Sequence, residues 1–165
     1  MNTTNVNQTC PLCGRDKHMK LLYGHLVCRK CYYAFASRRQ LAFAVDIILW
    51  VFCLGIISFL EGLSEETIRV LVYLLFPIFC LKDGFSGFSP GKKMMGVQVV
   101  DEIIGKPVGF DPSFKRNLPL IIPLMPLIVA FELPKGKRIG DGWARTRVIW
   151  KKYKDKAPFA IRKDA

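Results

Sequence analysis

Four cysteines are the residues best equipped for chemistry in this chain. Cys10-Pro11-Leu12-Cys13 and Cys28-Arg29-Lys30-Cys31 are two Cys-x-x-Cys pairs with fourteen residues between them. Each tight turn offers two thiolates, and two such turns fill the four tetrahedral positions that zinc prefers. Gly14 after the first pair and the basic residues beside the second suit a ribbon, in which backbone amides and cations offset thiolate charge. Disulfides and a redox pair are the alternatives. Cytosolic placement disfavours stable disulfides, and no thioredoxin-like βαβ pattern surrounds the motifs. His18 and His25, between the pairs, read as surface or packing residues because four cysteines already close the site. A closed four-thiolate zinc site has no open position, so it implies structure or docking, not catalysis.

The second chemical feature is a carboxylate in an apolar run. Residues 41–60 are apolar apart from Asp46. Twenty residues at the helical rise reach about 30 Å, the thickness of a bilayer core. An ionisable group there costs at least ~2.5 kcal/mol on the mildest insertion scale. Arg39, seven residues earlier, shares its helical face, with Ala42 between them. Small residues on that stripe admit another backbone, so the face is expected to pack on protein. Two turns is long for a direct salt bridge. A water, an ion or another segment is expected to mediate, with Arg116, or Arg138 with Asp141, as candidates. Two readings of Asp46 stay open: a polar clamp that fixes packing, or a cation or proton site.

The elements that position these groups follow from pattern. Helices are expected at about 41–60 and 67–82, joined by the acidic turn Glu61–Glu66, with Ser64 as helix cap and Glu65 and Glu66 in the first turn. Arg69 and Lys82 can snorkel at the ends of the second helix, and Pro77 should kink it. Cys53 and Cys80 read as packing residues. Val97–Asp101 alternates like a strand, as does Thr146–Trp150, and the two are expected to pair. Residues 118–133 are apolar but hold Pro119, Pro123 and Pro126, which points to a re-entrant segment or a short distorted span.

Composition sets the environment. Lys and Arg number 25 against 13 acids, a formal charge of +12, in a chain that is 51% hydrophobic. Outside the apolar runs, acids outnumber bases only in the short segment 61–69. That is what the positive-inside rule requires if this loop alone faces outward and the N-terminus is cytosolic. The basic tail, Lys151 to Lys163, then lies beside anionic lipid; with membrane spans present, lipid is the preferred partner and nucleic acid is not expected. No cleavable signal peptide is read at the N-terminus, so 41–60 would act as a signal anchor. The Asn2 and Asn7 sequons read as chance matches. Ser89-Pro90-Gly91-Lys92 is not a phosphate loop: Ser86 replaces its first glycine and Lys93 its Ser/Thr, so a tight basic turn is expected.

Arg39-x-x-Ala42-x-x-x-Asp46, the stretch from Ser89 through Gly91, Lys92 and Gly96 to Asp101, Arg116-Asn117, and Gly140-Asp141-Gly142-Trp143-Ala144-Arg145-Thr146-Arg147-Val148 together resemble the RDD family of bacterial membrane proteins. The resemblance covers about residues 37–150. It assigns Arg39 and Asp46 to the first two letters of the family name and Asp141 to the last. It implies a bacterial inner-membrane, multi-pass protein; some relatives are linked to sodium–proton exchange, and cysteine ribbons occur joined to such domains.

The expected architecture is thus a mainly α membrane protein with two or three transmembrane or re-entrant helices, a small cytosolic β element and an N-terminal zinc ribbon. Its parts are a ribbon (1–36), a membrane domain (37–150) and a basic tail (151–165). Cys10, Cys13, Cys28 and Cys31 would hold structural Zn2+; Arg39, Asp46, Arg116 and Asp141 are the candidate intramembrane charges. No nucleophile–base pair points to an enzyme. Two functions fit: ion or ligand transport within a homo-oligomer or larger complex, or a scaffold whose ribbon recruits a cytosolic protein.

Overall fold

The computed structural model describes residues 9–16, 18–59, 64–122, 124–132 and 136–160. Both sequons, residues 61–63 of the acidic turn, Pro123, and Arg162 and Lys163 of the tail lie outside the described residues.

The cysteine module is a hairpin, β1 (Met19–Leu22) paired antiparallel with β2 (His25–Cys28). Helix α1 follows without a linker and runs Arg29–Ser58, with Cys28 as its N-cap. It therefore starts about twelve residues earlier than the apolar run suggested. Residues 29–40 are too polar on most faces to read as membrane helix, yet Phe35, Ala36 and Arg39 are buried there. The ribbon and the apolar helix are one continuous rod, about 45 Å long at the helical rise.

Helix α2 (Glu65–Leu81) begins as expected, with the Ser64 hydroxyl accepting the Thr67 backbone N–H at 3.2 Å and Pro77 inside. Asp46 against Lys82 and Trp50 against Phe79 run in opposite chain directions, so α1 and α2 are antiparallel. Short helix α3 (Pro90–Met95) then leads through Gly96 into β3 (Val97–Asp101). The expected basic turn at Ser89–Lys92 is thus a capped helix start. After α4 (Phe110–Asn117) comes a 3-10 turn (Leu118–Ile121), then α5 (Met125–Glu132). The proline-rich stretch is broken, not one helix; eight residues in α5 reach only about 12 Å, well short of a bilayer core. Helix α6 (Ile139–Trp143) delivers the chain to β4 (Thr146–Trp150), which pairs with β3 in the expected antiparallel register.

Burial is divided. One core joins the hairpin, the first turns of α1, the β3–β4 sheet and Phe159 of the tail, with Phe35 between Trp150 and Phe159. The ribbon is therefore packed on the sheet, and the tail up to Phe159 is part of the fold. In contrast, Leu41, Ile48, Val51, Phe52, Ile56 and Phe59 of α1 and its C-cap are exposed, as are Val70, Tyr73, Leu74 and Ile78 of α2. Among the described residues, the helix spanning 29–57 is the one long and apolar enough to cross a membrane, with 11% of its most apolar window buried. That low burial separates it from the core helix of a soluble protein.

Candidate functional site

Where α1, α3, α4 and α6 converge, charged side chains replace apolar packing. Asp46 projects from α1 toward the start of α3. Its Oδ2 accepts the Ser89 hydroxyl at 2.6 Å and its Oδ1 accepts the Gly91 backbone N–H at 2.9 Å. The Lys82 and Lys92 ammonium groups lie 3.5 and 3.7 Å from Oδ2. The expectation that Arg116, or Arg138 with Asp141, would mediate between Arg39 and Asp46 is corrected: Asp46 is held by two lysines, a hydroxyl and an amide. Ser89 also caps α3, accepting the Lys92 backbone N–H at 3.4 Å. This places an α3 N-terminus, with its partial positive charge, against the carboxylate.

Gly91 makes the approach possible. A Cβ at this position would collide with the Ala42 carbonyl oxygen and stand 2.9 Å from Asp46 Oδ1. The small Ala42 therefore does admit a backbone, that of α3. Gly91→Ala is expected to cost about 1–3 kcal/mol, the usual range for overpacking a tight contact. It should lower the thermal midpoint of detergent-solubilised protein, whereas Gly55→Ala, inside α1 where a Cβ meets nothing within 4 Å, should not. Equal midpoints for both would contradict the contact.

Asp141 forms the second half of the network. Its Oδ1 accepts Arg116 Nη2 at 2.7 Å and Arg138 Nε at 3.1 Å. Its Oδ2 accepts Arg39 Nη2 and the Arg138 backbone N–H, each at 3.3 Å. Arg39 also donates to the Gly136 carbonyl, and Arg138 Nη2 donates to Asn117 Oδ1 at 2.8 Å. A Cβ on Gly140 would meet the Arg116 carbonyl, so this glycine lets α6 lie against α4. Burial opposes ionisation of Asp141, but Arg116, Arg138 and Arg39 more than offset it and hold the carboxyl below its ordinary value.

Asp83 joins the two halves. It accepts Lys92 Nζ at 2.5 Å and Asn117 Nδ2 at 3.4 Å, and its Oδ2 lies 3.5 Å from Arg116 Nη1. Its backbone N–H donates to Ser113 Oγ at 3.1 Å, while that hydroxyl and Asn117 both donate to the Cys80 carbonyl. These bonds satisfy the Cys80 carbonyl, one of those left open at the end of α2. Burial penalises the Asp83 charge, yet Lys92, Arg116, Lys82 and Arg138 together hold the group far below the usual carboxylate range.

The four cysteines form a separate cluster at the N-terminal end of α1. Their sulfurs all lie within 4.8 Å of one another, with Cys13 and Cys28 Sγ 3.4 Å apart. A tetrahedral zinc with Zn–S of about 2.3 Å places its sulfurs about 3.8 Å apart, so the cluster has the right size and donor set for such an ion. Burial works against a Cys10 thiolate, but backbone groups of Cys28, Leu12 and Cys13 outweigh it and bring the thiol down to about 7. His18 and His25 are not in the cluster.

The model described as the RDD family matches residues 33–145. The chain belongs to the RDD family. No curated protein and no solved structure matches it. Every member of the ion network falls inside the RDD match, and the four cysteines fall outside it. RDD membership and the apolar α1 together point to a membrane protein.

All four charges singled out from sequence are buried, but in a different pairing. Arg39, Arg116 and Asp141 meet directly, while Asp46 belongs to the lysine cage. Lys82, expected to snorkel, is buried over the Phe79 ring at 4.0 Å from its centroid. Sequence reasoning passed over Asp83, Ser89 and Lys92 as members of the site. The available signals were a Lys-Asp pair directly after an apolar helix and a Ser-Pro-Gly helix start rich in lysine.

Proposed function

We propose that this protein is a membrane-anchored scaffold in which the RDD ion network fastens a cytosolic, zinc-loaded ribbon to the membrane helices. The observation that carries this reading is the saturation of Asp46. Both of its oxygens accept hydrogen bonds from the protein and two ammonium groups stand beside it. A metal cation would have to displace lysines to reach it. The ribbon, fused to α1 and packed on the β3–β4 sheet, presents a rigid cytosolic platform for a protein partner. In this reading α1 and α2 are both spans of a bacterial inner membrane, with the acidic turn outside and both termini in the cytosol. Exposed Lys151, Lys152 and Lys154 then lie near anionic headgroups.

A second reading, cation–proton exchange in an oligomer or larger complex, is favoured by one feature. A cleft of about 220 Å3 between α1 and α2, lined by Leu49, Trp50, Ile78 and Phe79, reaches Asp46 and Lys82. The two readings separate in zinc-loaded proteoliposomes. The scaffold reading expects no cation-driven proton flux from wild type and a lowered thermal midpoint in Asp46→Asn. Flux in wild type that vanishes in a fully assembled Asp46→Asn would establish exchange instead.

A further inference from the structure

The network carries more positive charge than its carboxylates neutralise. Arg39, Lys82, Lys92, Arg116 and Arg138 are ion-paired among only three described carboxylates, Asp46, Asp83 and Asp141. Five cations against three anions leave an excess of two positive charges in a region where Arg39, Arg116 and Arg138 are almost wholly buried and Lys82 and Lys92 are partly so. An uncompensated buried charge costs several kcal/mol, so such an excess calls for a counter-ion.

The geometry supplies a place for one. A cavity of about 20 Å3 is lined by Arg39, Lys92, Arg116 and Arg138, with Ala42, Phe43, Val97 and Val148 as its apolar walls. No described carboxylate lines it. Among the described residues, Arg39 Nε and Arg116 Nε have no hydrogen-bond partner, and Arg116 Nη1 has only the ion pair with Asp83. Arg39 and Arg116 are 3% and 2% exposed, so bulk water does not reach these donors. An unmet buried donor costs about 1–3 kcal/mol, more when charged.

We propose that this cavity is a binding site for one monatomic anion of the halide class, chloride under ordinary conditions. The size narrows the class: at about 20 Å3 the cavity is above the ~10–15 Å3 that a single water needs, which leaves room for one small monatomic occupant. A water would accept from two donors at most and leave the excess charge untouched. A halide accepts from every direction and lowers that charge by one. Its weak hydration also suits the valine, alanine and phenylalanine walls. Burial lowers the proton affinity of Lys82 and Lys92, yet the three guanidinium groups stay charged and alone outnumber the Asp141 carboxylate they share. The site stands independently of the scaffold reading, since neither anchoring nor exchange requires it.

The test uses the zinc-loaded full chain in detergent, with sodium chloride exchanged for sodium gluconate at constant ionic strength. Gluconate cannot enter the cavity. Above the dissociation constant, a tenfold rise in chloride should shift the unfolding equilibrium almost tenfold toward the folded state. Bromide should reproduce the shift, and chloride-35 resonances should broaden in the presence of the protein. Equal stability in chloride and gluconate, with no excess broadening, would overturn the proposal and leave water as the occupant. Val148→Ile places one more methylene against the cavity. If it retains zinc and elutes as wild type, it should lose both responses. A full response in that variant would put the anion elsewhere and overturn the assigned site.

Discussion

Asp141→Ala is expected to lower stability by about 3–5 kcal/mol, the cost of removing one partner from a buried ion pair and stranding the other. Here three guanidinium groups, from Arg39, Arg116 and Arg138, lose their shared acceptor at once. The effect falls on three elements. Arg39 belongs to α1, Arg116 to α4, and Arg138 caps α6, so losing the carboxylate releases the helix that carries the ribbon from the segment that leads into β4. Thermal unfolding in detergent, followed by loss of the near-ultraviolet aromatic signal to which Trp150 contributes, reads this directly. A drop under ~1 kcal/mol would mean the arginines find other acceptors, which the buried geometry does not offer.

The same carboxylate sets an acid limit. The Asp141 carboxyl is held below its ordinary 3.8 in the folded protein. A depressed folded value contributes stability above the unfolded value and loses it as pH falls through the folded one. Stability should therefore be insensitive to this group from neutrality down to about pH 4 and decline only below it. In Asp141→Ala the part of the acid decline owed to this residue should be missing.

Stripping the proposed zinc from the four cysteines is the second large effect. A four-thiolate zinc site contributes apparent binding free energy of about 10–16 kcal/mol in isolated finger peptides, most of it expressed as folding. Cys28 is the N-cap of α1 and Cys31 lies in its first turn, so chelation should unravel the hairpin and fray α1 together. Phe35, Tyr23 and Trp150 share the ribbon's core, so tryptophan emission should shift toward longer wavelength. The apolar part of α1 should stay helical, because a bilayer leaves its backbone no other hydrogen-bond partners. Unchanged tryptophan emission with zinc fully removed would show that the ribbon folds without its ion.

Some of this arrangement was legible in residue patterns because it is local. The two Cys-x-x-Cys turns, the Ser64 cap and the alternation in Val97–Asp101 and Thr146–Trp150 each declare themselves within a few residues. The start of α1 did not, since its first three turns are polar on the outside and buried only where Cys31, Phe35, Ala36 and Arg39 meet distant segments. The cage around Asp46 was not legible either. Its partners come from 36 to 46 positions away and are brought in by a helix cap and a glycine contact, which periodicity does not encode. The prolines correctly marked 118–133 as unfit for a regular span, and the chain answers with a 3-10 turn and a short helix. Asp83 follows an apolar helix immediately and looks like a polar boundary, yet it is wholly buried.

Whether the RDD charges fasten α1 to α6 is decided by a double-mutant cycle between Arg39 and Asp141. Arg39→Met, Asp141→Asn and the double variant would be compared with wild type by equilibrium unfolding in detergent at neutral pH. A fastening requires a coupling energy of at least about 1.5 kcal/mol between α1 and α6, in the range found for groups that share one buried network. Effects that add within ~0.5 kcal/mol, as for independent distant sites, would contradict it.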